Sequence, residues 1–281
     1  QYLTEAFAAA GVEADIQNAN GDKAKFATLC DQFVSGGVSV LLMVNLDSET
    51  GKACSTKATA QGIKVIDYDR LTLGGGASYY VSFDNVAVGT KIGEGLVKCM
   101  QDNGDTTGAV VLLNGSPTDN NATLFSQGAH SVLDKISTYK NVAEQAVPDW
   151  DNEKAVTIFE QLYTKVDGKV DGVYAANDGL AGGVISILKK NGQAGKVPVT
   201  GQDATVEVLA LHLDHGQVAA EHLAGGATDV VEPTEVDDDL ARRRCRRSGE
   251  IEVGAVGARI ARVTREELVD RHLVHGGQPM E

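Results

Sequence analysis

The segment Val38–Val44 (VSVLLMV) is almost wholly apolar, follows Gly36-Gly37 and gives way to polar Asn45. Its length suits a strand and is far below the roughly 20 apolar residues that a membrane helix needs. Because its apolar positions do not alternate with polar ones, it reads as a parallel strand covered by helices on both faces. Its flanks agree with that reading. Asp22–Val34 places Phe26, Leu29, Cys30 and Phe33 at helical spacings, and Asp47–Ala60 gives a second helix that ends before Gly62. Lys64–Tyr68 then reads as the next strand. Ahead of them, Tyr2–Ala10 forms an amphipathic pattern closed by Gly11, and VEADIQNA (Val12–Ala19) is strand-like.

The alternation resumes downstream. Helices are expected at Val86–Met100, Asn121–Leu133, Lys154–Val166 and Leu180–Lys190, and strands at Ala109–Asn114, Gly172–Ala176 and Val197–Thr200. Strand, helix and strand joined by short Gly-rich connections predict an α/β fold of open parallel sheets. In such sheets the loops that follow the strands collect at the carboxyl edge, where ligands bind.

Those loops carry the polar chemistry. Asp67-Tyr68-Asp69-Arg70, Asn114 to Asn121, Asn177-Asp178 and Gly201-Gln202-Asp203 each follow a predicted strand. Carboxylates accept hydrogen bonds, amides donate and accept, and a guanidinium forks across two oxygens, which together match the hydroxyls of a sugar ring. Trp150, the only tryptophan, offers an apolar face for the ring's C–H groups. Taken singly, each Asn or Asp could equally close a turn or cap a helix.

Several functions are disfavoured. A net charge of -14 repels polyphosphate and anionic lipid, and Arg242–Arg247 sits beside Asp237-Asp238-Asp239 without aromatic neighbours, so no nucleic-acid partner is expected. GxSxG, HExxH and a GxGxxG after a strand are all missing, and Gly74-Gly75-Gly76 lacks the Lys-Ser/Thr of a phosphate loop. His130 lies inside a helical pattern and reads as structural. No metal or cofactor is expected. Asp69 with Asp203 or Asp178 would suit glycoside hydrolysis only at a separation of roughly 5 to 9 Å.

With these residues in place, YDR (Tyr68–Arg70), YYVSFDNVAVG (Tyr79–Gly89), GSPTDNNATLF (Gly115–Phe125), AANDGLAGG (Ala175–Gly183) and GQDATVE (Gly201–Glu207) resemble the D-xylose-binding proteins. These are substrate-binding components of bacterial sugar ABC transporters, in the ribose/galactose-binding class. The resemblance implies two parallel-sheet lobes joined by a hinge, closing on a monosaccharide and docking on a membrane permease without catalysis. It places sugar contacts on Asp69, Arg70, Asn121, Trp150, Asn177 and Asp203, and makes Asp84-Asn85 a hinge and helix cap. It implies a first lobe of residues 1–85 and about 217–256, and a second of 86–216 and about 257–281. It also implies a monomer in an extracytoplasmic setting, either periplasmic or a cell-surface lipoprotein. A sugar-sensing regulatory domain on the same fold is the alternative, and a glycoside hydrolase a more distant one.

Two features depart from the family pattern. This chain opens in the helix that follows the family's first strand, which would leave an apolar sheet edge uncovered. Residues 1–200 hold fifteen Lys, one Arg and all fourteen aromatics, whereas 201–281 hold nine Arg, no Lys and no aromatic. That break predicts poor packing at 208–256. Cys30 and Cys54, on consecutive helices, would either pair in an oxidising compartment or serve as two small buried residues. Cys99 would then be left with Cys245 as its possible partner.

Overall fold

The computed structural model describes residues 2–203, 205 and 218–220. The tail histidines, Arg242–Arg247, Cys245, Ala258–Leu273 and nearly all of 208–256 therefore lie outside the described residues. Expectations about their packing and lobe membership rest there.

The chain builds two parallel sheets. The first contains β1 (Val40–Met43), β2 (Lys64–Tyr68) and β3 (Tyr79–Val81) in the order β1-β2-β3. Helices α1 (Tyr2–Ala9), α2 (Lys23–Ser35) and α3 (Ser48–Ala60) belong to this half. Asp22 caps α2 by accepting from Ala24 and Lys25 N–H, and Asp47 caps α3 through Thr50 N–H. The second sheet has the order β5-β4-β6-β7-β8. Its strands are β4 (Gly108–Asn114), β5 (Tyr139–Ala146), β6 (Gly172–Ala175), β7 (Val199–Gly201) and β8 (Val218–Ala220). Helices α4 (Asn85–Asp102), α5 (Asn120–Leu133), α6 (Asn152–Lys165) and α7 (Asp178–Lys190) complete it. Every described strand pair is parallel.

The two halves differ in how deeply they are packed. Of the second sheet, Val110–Leu113 on β4 and Val173–Ala175 on β6 are nearly inaccessible, as parallel strands between two helical layers should be. In the first sheet the expectation of burial on both faces fails. Burial alternates along β1 and β2, with Leu41, Met43, Val65 and Asp67 inside while Val40 and Val44 remain exposed. The reason is that α2 and α3 contact one face, with Cys30, Val34, Cys54 and Ala58 packed on it. Cys30 and Cys54 form a disulfide that joins these two helices.

Three further differences concern strands. Val12–Ala19 forms no ladder, and Val12 and Ile16 are exposed, because no described strand lies beside them. β5 escaped prediction because its sequence, YKNVAEQA, is that of a half-exposed edge strand and has no apolar run. β8 adds to the second sheet beside β7 at Val218–Ala220, where the sequence reading placed the return to the first lobe at about residue 217.

α4 and α5 cross with their backbones in contact. A methyl group at Gly89 would overlap the Phe125 carbonyl, and one at Gly128 would overlap the Val86 carbonyl. This contact fixes the N-termini of both helices beside the gap between the sheets.

Candidate functional site

The first wall of the gap is the loop after β2. Asp67, fully buried, accepts from Thr72 N–H at 2.7 Å and from Thr72 Oγ1 at 2.8 Å. Burial raises its carboxyl above the ordinary value, while both Thr72 bonds oppose the shift. Asn45 Nδ2 donates to the Arg70 carbonyl at 3.1 Å and to Thr72 Oγ1 at 2.9 Å. The chain turns between these anchors at Asp69, whose φ of 65° is in the left-handed region. Its carbonyl accepts from Ser82 Oγ at 2.7 Å, its N–H donates to the Val81 carbonyl, and Arg70 is thereby aimed into the gap.

The second wall is built from the loops after β4, β5, β6 and β7. Asp119 caps α5 through Asn121 N–H and is almost fully buried. Its Oδ2 lies 3.0 Å from Arg70 Nε and accepts from Trp150 Nε1 at 3.0 Å. Asn121 Nδ2 reaches back across the gap to the Asp69 carbonyl at 3.1 Å and to Asp69 Oδ1 at 3.3 Å. Asn121 Oδ1 in turn accepts from Asn85 Nδ2 at 3.1 Å. Trp150 is partly buried, with the Phe125 ring edge-on at 6.3 Å. Asn177 caps α7 through Leu180 N–H and opposes the rise of the carboxyl of Asp203, a residue held at φ 98°.

The electrostatics are those of an acidic cleft with one guanidinium. Burial lifts the Asp203 carboxyl to about 6, and the charges of Asp178 and Asp69 add to that lift while Asn177 opposes it. Asp69 is also raised, first by burial, with Arg70 opposing and Asp119 adding. Such a surface offers many acceptors to neutral hydroxyl groups and disfavours anionic ligands.

Asp69, Arg70, Asn121 and Trp150 are thus joined through Asp119 into one connected set. Asn177 and Asp203 form a second pair, coupled to the first by charge at Asp69. Asn177 also carries the capping role open to it from the sequence. Asp84 caps α4 through Ala87 N–H, while Asn85 is buried against Asn121. Sequence reasoning did not single out Asp119 from its polar run. Its position directly ahead of the Asn120–Leu133 helix marked a cap, but no pattern in the chain shows which way the second carboxylate oxygen faces. Asn45 was missed, and Asp67 was not singled out from its polar run, for a similar reason, since their partners are set by the loop's path.

His130 proves structural. Its Nδ1 faces Asp134 at 3.1 Å and its Nε2 faces Glu144 at 3.2 Å, tying α5 to β5. Among the described residues, no group of three His, Cys, Asp or Glu could hold a metal ion, and no helix is long and apolar enough to cross a membrane.

Two parallel sheets with a polar gap at their carboxyl edges agree with a sequence comparison. The family model described as a periplasmic binding protein domain matches residues 1–220. The chain belongs to this family. Among curated periplasmic binding proteins it is 36% identical over 202 residues to the D-xylose-binding periplasmic protein of Haemophilus influenzae, covering 71% of this chain and 59% of that one. It is 35% identical over 197 residues to the protein of the same name from Escherichia coli, covering 69% and 58%. The chain therefore spans less than two thirds of the length of these relatives. A Caulobacter myo-inositol-binding protein superposes with a TM-score of 0.68 at 26% identity, covering 77% of this chain and 72% of the other. A solute-binding protein of a Clostridium phytofermentans ABC transporter, solved with β-D-glucose, gives 0.69 at 28% identity, covering 77% and 71%.

Proposed function

We propose that this periplasmic binding protein domain takes a monosaccharide, with D-xylose the favoured ligand, into the gap between its two sheets for delivery to an ABC permease. The carrying observation is that Arg70 from one wall and Trp150 from the other bond to the same Asp119 oxygen. A planar donor fork and an indole face are thereby presented to one small space. In this reading Asp69, Arg70, Asn121, Asn177 and Asp203 exchange hydrogen bonds with sugar hydroxyls, and Trp150 covers the C–H face. Residues 1–85 form most of the first lobe and the second lobe begins at 86, so that ligand contacts from both walls favour the closed arrangement. The protein acts as an extracytoplasmic monomer without turnover. Two curated relatives at 35–36% identity are named for D-xylose, which supports xylose, while others are named for multiple sugars or D-allose.

Calorimetric titration with D-xylose, D-ribose, D-glucose and D-allose tests this reading. Xylose should bind most tightly, and Asp203→Ala should weaken it by about ten- to a hundredfold, because sugar hydroxyls lose a carboxylate acceptor. No heat with any pentose or hexose at millimolar concentration would end the proposal. Release of the chromophore from a chromogenic xyloside would replace it with hydrolysis, for which Asp203 and Asp69 would be the carboxylate pair.

A further inference from the structure

Trp150 is held in a backbone conformation that it would not adopt by itself. Asp149 and Trp150 have φ of 62° and 55°, two consecutive left-handed residues, neither of them glycine. Each such residue is disfavoured, and a pair persists only where its surroundings over-determine it. The surroundings are the loop after β4. Asp149 N–H donates to Ser116 Oγ at 3.1 Å, and Ser116 is itself buried, with Thr118 Oγ1 at 3.0 Å. Trp150 Nε1 donates to Asp119, which leaves the indole lying over Gly115. A methyl group at Gly115 would overlap the six-membered part of that ring. Gly115 is not among the glycines with positive φ, so the left-handed region does not explain its glycine. The three atoms nearest such a methyl group all belong to the indole.

We infer that Gly115 and Ser116 are positioning residues that hold the strained Asp149-Trp150 turn and set the plane of the Trp150 indole for stacking on the ligand. Gly115 supplies a flat backbone floor that sets the ring's depth. Ser116 supplies the acceptor that holds the turn, and Asp119 sets the ring's rotation through the indole N–H. Pre-setting the ring in this way reduces the ordering that binding would otherwise require. The inference rests on the sugar-binding reading for its purpose, while the placement of the indole stands apart from it.

Because Trp150 is the sole tryptophan, its emission reports on one site. Gly115→Ala and Ser116→Ala should each shift the emission of the sugar-free protein to the red and increase quenching by acrylamide. Each should also weaken D-xylose by about tenfold or more. In a Trp150→Ala background, Gly115→Ala should cause no further loss, since it acts only through the ring. Unchanged emission and quenching in both variants overturns the inference. So does a loss of affinity from Gly115→Ala that persists without the indole. If the wild type binds no sugar, the sugar-binding reading fails, and the sugar-free emission still decides whether these two residues place the ring.

Discussion

Arg70 and Asp119 meet across the gap with Nε and Oδ2 3.0 Å apart, the guanidinium a quarter exposed and the carboxylate almost fully buried. Burial makes such a pair costly to break from one side, because the remaining charge loses its partner. Asp119→Ala should lower the melting temperature, since it also removes the α5 cap, a loss of about 1 kcal/mol. Asp119→Asn drops the charge and has a single acceptor oxygen, which serves either the α5 cap at Asn121 N–H or the Trp150 and Arg70 donors but not both. It should melt below the wild type but above Asp119→Ala, and bind xylose about tenfold more weakly. Wild-type affinity in Asp119→Asn, measured by calorimetry, would remove the ion pair from the mechanism.

The pH dependence of Asp203 has a defined sign. Its carboxyl rises from 3.8 to about 6 in the folded protein, so the folded state holds more protons between those values than the unfolded chain. Stability from this group therefore falls as pH climbs from 3.8 to about 6 and stays at its low value above that. Asp203→Asn should flatten this part of the profile and stabilise the sugar-free protein at pH 7. Melting curves of both proteins from pH 4 to pH 8 check it, and parallel curves would contradict it.

How much of this was legible beforehand depends on which forces decide each feature. The helices from Lys23 to Lys190 and the strands β2, β4 and β6 follow from apolar periodicity and caps, which are local. β5 was hidden because an edge strand needs one apolar face at most, and Tyr139 and Ala143 alone are buried on it. The six expected site residues came from the family resemblance; five of them also stand in polar runs after predicted strands, and Trp150 is the only tryptophan. Asp119 could not be singled out, since its role is to bridge Arg70 and Trp150, residues 49 and 31 positions away along the chain. The strain at Asp69, Trp150 and Asp203 was equally invisible, because none is the glycine that usually marks a positive φ.

The tie from α5 to β5 predicts a second pH effect. Burial alone would lower the His130 midpoint, but hydrogen bonds to Asp134 and Glu144 outweigh it and raise the value above 6.5. Its stabilising contribution is complete below 6.5 and is lost as pH rises through the folded value. Glu144 is opposed by burial and lowered by His130, Asn141 and Asn114, so its contribution is present above 4.5 and is lost on further acidification. His130→Gln should therefore cost most at about pH 6 and least at alkaline pH, where the imidazole is neutral. Chemical denaturation at the two ends of that range measures the difference, and an equal cost at both would refute the tie.

Reduction should act unevenly. The Cys30–Cys54 bond closes a separation of 24 residues, for which loop entropy gives about 3 to 4 kcal/mol. Among the described residues, the cluster around it has eight buried members against thirty in the second half. Dithiothreitol should therefore increase amide exchange in α2 and α3 well before α4 to α7, as read by hydrogen–deuterium exchange. Uniform loss of protection would show that the bond staples the whole molecule.

Glycine contacts between α4 and α5 have a mechanical consequence. With no layer of side chains to slide or compress where Gly89 meets Phe125 and Gly128 meets Val86, the two helices move as one lever. Asn85 and Asn121 ride together at its tip, already bonded to each other. In the proposed two-lobe reading, a swing of one wall against the other would leave that tip rigid and, among the described residues, place bending in Ser82, Phe83 and Asp84, between the end of β3 and the start of α4. On that reading the torsional stiffness of this short segment would contribute to how far the gap opens, and lengthening it by a single residue would change the travel of the arm.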